Sequence, residues 1–184
     1  MLDAVNGKPV SFEVFSDEFD DMERQARLIS SWAENIYTKV PVTNTRGEGS
    51  GELIRSLAAD GVKLNVTALM TPAQAGEVAA CLEGGPPSIV SLFAGRVADT
   101  GRDPVPLMAE ALEAVSPYPN VELLWASPRE VLNLVQADQV GCHIITVTHD
   151  VLAKLSTLGK DLDEFSLDTV KMFHESARSA AFTL

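Results

Sequence analysis

Apolar and polar positions along the chain follow two alternating rhythms. Runs rich in Val, Ile, Leu and Phe stand at residues 10–15, 36–43, 63–70, 88–95, 121–127 and 143–148. Short β-branched runs of this kind predict strands. Between them, apolar residues recur three and four apart, as in Met22, Ala26, Ile29 and Ala33, the spacing of one helix face. Ser16-Asp17-Glu18 offers a cap and an acidic first turn for a helix over about 17–34. A second helix over 52–60 stops at Gly61, and Thr71-Pro72 starts a third with a cap and a proline at its first position. Further helices are predicted from 104 to 115, from Pro128 to about 138, over 151–155 and over 167–180.

Strand and helix thus alternate six times, the rhythm of a parallel sheet with crossover helices. Two architectures fit it: an open doubly wound sheet and a closed (β/α) barrel. No glycine-rich phosphate loop follows the first strand, which removes the support for dinucleotide binding. Polar residues within successive apolar strands suit a barrel whose mouth holds a site. A closed barrel of this type needs eight strands, and the pattern supplies six.

Lys39 lies inside the apolar run 36–43. One reading is a lysine that snorkels to water from a strand end. The other is an amine in a pocket, able to attack a carbonyl carbon and form a Schiff base. Side chains two apart share a strand face, which groups Ser11 with Glu13 and Phe15, Asn65 with Thr67, and Ser91 with Phe93, with Arg96 just beyond. Each group alone reads as ordinary core polarity. Glu13 is the exception, because a carboxylate inside a strand needs a partner or a proton. Four such strands in succession point to a shared polar pocket.

The net charge of −12 argues against nucleic acid or an anionic membrane surface as partner, though local arginines suffice for a phosphorylated small molecule. Cys81 and Cys142 lack metal-ligand spacing and read as buried thiols, and His143, His149 and His174 are scattered and read as ordinary residues. No metal cluster is expected. With no long apolar span and no basic-then-apolar leader at its start, the chain is expected to be cytoplasmic, forming one domain over 1–184.

Four motifs together resemble the transaldolases: Val10-Ser11-Phe12-Glu13-Val14, Lys39-Val40-Pro41-Val42-Thr43, Asn65-Val66-Thr67-Ala68-Leu69 with Ala73-Gln74-Ala75, and Val90-Ser91-Leu92-Phe93-Ala94-Gly95-Arg96. Loop lengths are similar to the shorter branch that includes the fructose-6-phosphate aldolases. The resemblance implies an α/β fold, the (β/α)8 TIM-type barrel of class I aldolases, with Lys39 as the Schiff-base nucleophile. By the same match Glu13 activates a proton-shuttling water, which Thr67 helps position, and Asn65 and Ser91 bond the dihydroxyacetone unit. Arg96 and Ser127 match phosphate contacts, with Arg129 a looser candidate. The implied partners are sugar phosphates, a ketose donor and an aldose acceptor, with no cofactor, and a homo-oligomer is expected. The C-terminal helix, rich in small apolar residues from Ser176 to Phe182, offers a face either for a neighbouring subunit or for capping its own barrel.

The aldolase branch typically carries Gln where Glu13 stands and Tyr where Phe93 stands. Phe93 has no proton to give an enamine, which favours transfer to an acceptor over release of free dihydroxyacetone. The family's first two strands, with their aspartate and Thr-Asn-Pro motifs, have no counterpart. The start at Met1-Leu2-Asp3 resembles the end of the helix before the family's third strand, as from an internal start codon or a truncation. Asp3 is therefore not matched to the catalytic aspartate. The alternatives to a transaldolase are an aldolase that cleaves fructose 6-phosphate and a silent protein that only binds sugar phosphate.

Overall fold

In the computed structural model, which describes residues 5–181, six strands pair in chain order and all run parallel. They are β1 (Val10–Glu13), β2 (Ile36–Pro41), β3 (Leu64–Leu69), β4 (Ser88–Leu92), β5 (Val121–Trp125) and β6 (Ile144–Ile145). Parallel pairing demands a crossover, and each carries helix: α1 (Phe19–Ser30), α2 (Gly51–Ala59), α3 (Pro72–Cys81), α4 (Ala94–Asp99) with α5 (Pro104–Val115), and α6 (Leu132–Val140). The sheet curls into part of a TIM-type barrel, as its rhythm predicts, and remains open between β1 and β6 among the described residues.

Strand alternation sorts the side chains into two layers. Val40, Val66, Val90, Leu92 and Leu123 belong to one core with Met22 and Ala26 of α1, Leu57 of α2, Val78 of α3 and Met108 of α5. Fully burying a side chain of this size contributes roughly 1.5–3 kcal/mol. The opposite, concave face holds a smaller apolar cluster of Tyr37, Ile89, Leu124 and Ala126. Burial and the neighbouring Glu122 carboxylate push the Tyr37 hydroxyl above its ordinary pKa. Above that cluster the concave face turns polar.

Several boundaries differ from the sequence pattern, each for a local reason. The strands end earlier, most of all β6, which also starts one residue later because the His143 ring, rather than a main-chain group, accepts the Leu123 amide at 3.0 Å. The helix expected from Pro128 begins at Leu132, because Asn133 Oδ1 accepts the Arg129 and Glu130 amides at 2.7 and 3.2 Å and holds them in a turn. The short α4 follows β4 directly where extended chain is expected. Thr71 does cap α3, in a reciprocal pair with Gln74.

Residues from His149 on form a separate unit. It contains α7 (His149–Ala153), a 3-10 turn (Lys154–Thr157) and α8 (Leu162–Ser179). α8 starts earlier than its apolar pattern because Asp161 accepts the Asp163 and Glu164 amides, both at 3.0 Å. Among the described residues no helix is long and apolar enough to cross a membrane, and no group of His, Cys, Asp and Glu could hold a metal ion. Asp3 lies outside the described residues.

Candidate active site

Parallel register places Glu13 beside Lys39, and Lys39 beside Asn65. By strand alternation all three share the concave face. Glu13 ends β1 and Lys39 lies in the carboxyl half of β2, the side on which barrel folds hold their sites, while Asn65 sits deeper, at the start of β3. Lys39 Nζ lies 3.3 Å from Glu13 Oε2, with the lysine side chain 28% exposed and the glutamate 50% exposed. Lys39 is thus neither enclosed in the core nor free in water, and its amine faces a carboxylate.

Beneath this pair runs a chain of three polar groups. Asn65 Nδ2 donates to Ser11 Oγ at 2.9 Å, and Ser91 Oγ donates to Asn65 Oδ1 at 2.7 Å. The Asn65 amide is fixed in orientation by one donor and one acceptor. Thr67 differs. It is buried, and its hydroxyl has no hydrogen-bond partner among the described residues, a state that costs free energy unless a ligand or water meets it. The register shifts just after it, and Ala68 takes a φ of 66°. A left-handed alanine costs about 1–2 kcal/mol, and such strain collects where a side chain must be aimed.

The phosphate candidates gather at the ends of β4 and β5. Phe93 carries the Arg96 guanidinium over its ring at 5.4 Å, a cation–π contact that steadies a long side chain. Arg96 lines a cavity of about 530 Å³ with Met70, Thr71, Val97, Thr100, Arg102 and Leu107. Among the described residues its charged lining is therefore the two guanidiniums, in a chain of net charge −12. Ser127 adopts a φ of 59°, and Gly95 lies so close that a Cβ there would stand 1.5 Å from the Ser127 carbonyl oxygen. Only glycine allows α4 to dock on that strained turn. Arg129 is already paired through two nitrogens with Asp99, which holds the Asp99 carboxyl below its ordinary range.

Pattern reading missed four contributors: Gly95, Arg102, Gln25 and Arg46. Gln25 is buried in α1, and its Oε1 accepts the Phe15 amide at 2.9 Å just past Glu13. A polar residue on an otherwise apolar helix stripe is the signal that could have found it. Arg46 sits in the loop after β2 and bonds Glu18 through two nitrogens at 2.7 and 3.2 Å and Glu48 at 3.1 Å. Next to it, Asp17 accepts the Thr45 amide and hydroxyl, both at 2.7 Å, and these bonds hold the Asp17 carboxyl below its ordinary pKa.

The chain matches the transaldolase/fructose-6-phosphate aldolase family over residues 1–184. It is 34% identical over 153 residues to a probable transaldolase of Methanococcus maripaludis, covering 83% of this chain and 67% of that protein. It is also 34% identical over 148 residues to probable transaldolase 2 of Listeria monocytogenes, covering 80% and 64%. The chain thus spans about two thirds of the length of these relatives. Among solved structures, a mandelate oxidase variant with a monooxide FMN adduct superposes at a TM-score of 0.55 and 16% identity, over 78% of this chain and 49% of that one. That likeness concerns the fold. With a family match along its whole length and relatives a third identical over some four fifths of it, the chain belongs to the transaldolase/fructose-6-phosphate aldolase family.

Proposed function

We propose that this protein is a transaldolase that moves a dihydroxyacetone unit through a Schiff base on Lys39. The observation that carries the reading is the 3.3 Å approach of Lys39 Nζ to the Glu13 carboxylate on neighbouring strand ends. An amine beside a carboxylate at the mouth of a partial barrel has both a nucleophile and a proton carrier within reach.

Lys39 Nζ attacks the C2 carbonyl carbon of a ketose phosphate such as fructose 6-phosphate. The carbinolamine loses water to give an iminium ion, with Glu13 passing protons through a water that the free Thr67 hydroxyl helps hold. The iminium nitrogen accepts the electron pair of the C3–C4 bond as it breaks. The C4 hydroxyl gives up its proton to the water held by Glu13, and an aldose phosphate leaves. Asn65 and Ser91 bond the hydroxyls of the three-carbon enamine, while Arg96 and the Ser127 turn meet the phosphate. The enamine then adds to an aldehyde acceptor, and hydrolysis frees Lys39. Phe93 stands at the mouth without a proton to donate, which favours transfer over release of free dihydroxyacetone.

The protein works in the cytoplasm on phosphorylated sugars of central carbohydrate metabolism. It acts as a homo-oligomer, supported by the apolar residues Phe165, Val170 and Phe173 that α8 leaves exposed. The deciding test is incubation with fructose 6-phosphate, reduction with borohydride, and a peptide map. A dihydroxyacetone adduct on Lys39 is expected, and its absence would overturn the reading. Free dihydroxyacetone formed without an acceptor would favour aldol cleavage instead.

A further inference from the structure

β1 carries a candidate catalytic carboxylate on a short strand. It is four residues long and, among the described residues, pairs with β2 alone. Its last residue is Glu13, whose carboxylate is half exposed and meets Lys39 alone among the described ion pairs. The position of that carboxylate therefore depends on the backbone around it. Two bonds follow it: the Val14 amide to the Lys39 carbonyl at 3.0 Å, and the Phe15 amide to Gln25.

Past Phe15, the contacts that tie this connection to its neighbour all come from the loop after β2. Asp17 takes both polar hydrogens of Thr45, and Glu18 takes two from Arg46. The loop is itself rigidly built. Asn44 is buried, and its Oδ1 accepts the Arg46 and Glu48 amides, both at 3.0 Å. Thr43 bridges to Gly49, and Ser50 Oγ donates to the Pro41 carbonyl at 2.7 Å. The loop is thus anchored to the end of β2, two residues beyond Lys39.

We propose that Arg46 is a positioning residue, a latch that joins the β1–α1 connection to the β2 loop and so keeps Glu13 against Lys39. The charge balance strengthens the argument. One guanidinium meets three carboxylates, at 2.7 Å to Glu18, 3.1 Å to Glu48 and 3.7 Å to Asp17. Removing it leaves three like charges facing one another across the two loops, so attraction turns to repulsion. Arginine suits the role because its planar fork engages the Glu18 carboxylate through two nitrogens at once, which lysine cannot do. The inference rests on the imine chemistry proposed above.

The test compares borohydride trapping on Lys39 in the native protein, Arg46→Ala, Arg46→Lys and, as control, Arg24→Ala, which breaks only the exposed Arg24–Asp21 pair. For Arg46→Ala the trapping rate at saturating fructose 6-phosphate is expected to fall on the order of tenfold to a hundredfold, the scale for a misplaced reacting group. The half-saturating concentration stays unchanged. Arg46→Lys recovers part of the rate, and Arg24→Ala matches the native protein. The native rate falls as salt screens the latch, while the Arg46→Ala rate does not respond.

An Arg46→Ala protein with native maximal rate and native salt response would overturn the inference. If that variant fails to fold, Thr45→Val, which deletes a single bond to Asp17, is expected to slow trapping by a smaller factor, and a native rate there overturns the inference too. If the native protein itself forms no adduct, the proposed function fails. Amide hydrogen exchange at Val14 then judges the latch alone: faster exchange in Arg46→Ala supports it, and equal exchange rejects it.

Discussion

The two edges of the sheet are finished in opposite ways. β1 is followed by a connection tied down through Gln25, Thr45 and Arg46, with charged and polar groups from α1 and the β2 loop. β6 is two residues long and is held by main-chain pairing to β5 and by the His143 ring accepting the Leu123 amide. The difference follows what each edge carries. β1 presents a candidate catalytic carboxylate, which must stand still to within a fraction of an ångström. β6 presents two isoleucines, which need only pack. An edge strand in a parallel sheet lacks half its ladder, so a reactive group placed there needs support from outside the sheet.

The largest expected effect lies at the β1–β2 seam. Lys39→Met keeps the volume and apolar stem of the side chain and removes the amine. Trapping with fructose 6-phosphate should vanish, with no adduct at any other lysine on the peptide map. An adduct elsewhere would move the nucleophile away from this seam. A smaller effect is expected at the β4 and β5 ends. Arg96→Gln removes the proposed charge-assisted contact to phosphate, a bond of a kind worth about 1.5–3 kcal/mol. The half-saturating concentration of fructose 6-phosphate should rise on the order of tenfold to a hundredfold, while trapping of dihydroxyacetone, which has no phosphate, is unaffected. Equal losses on both would place Arg96 in the chemistry rather than in phosphate recognition.

Much of this was legible before any coordinates. The six apolar runs predict the six strands and their parallel order, because burial on both faces enforces a composition that polar loops cannot imitate. Alternation groups Glu13 with Ser11, Asn65 with Thr67 and Ser91 with Phe93, each set within its own strand, and Lys39 stands out as a lysine inside an apolar run. Their meeting was not readable from alternation, since it depends on the register that sets Glu13 opposite Lys39. The latch was less legible still. Arg46 and Glu18 are 28 positions apart, and a polar loop with glycines gives no sign of which carboxylates it will reach. α4 escaped notice because Ala94-Gly95-Arg96 continues an apolar run, and only the docking of Gly95 on Ser127 turns the chain there.

At the β6 edge, His143→Ala is expected to act on stability alone. It leaves the part-buried Leu123 amide without its acceptor, at a cost of about 1–3 kcal/mol. Thermal unfolding should shift down by several degrees, while trapping at Lys39, measured on folded protein, stays native. A slowed trapping rate would show that the far edge also governs the site, and the contrast between the edges would lose its point.

The finest test concerns Asp17, which the Thr45 hydroxyl and then the Thr45 amide hold below the ordinary aspartate pKa. A carboxyl depressed in the folded state favours folding above its unfolded pKa and loses that contribution as pH falls through the folded value. The Asp17–Thr45 bonds are therefore present at neutral pH and yield only in acid. Carbon NMR should find the Asp17 carboxyl titrating below the usual aspartate range in the native protein. In Thr45→Val it should move part of the way back up, since the hydroxyl is lost and the amide bond is kept. An Asp17 titration that ignores the substitution would mean the loop does not grip β1 through Thr45. The edge would then rest on Arg46 and Gln25 alone.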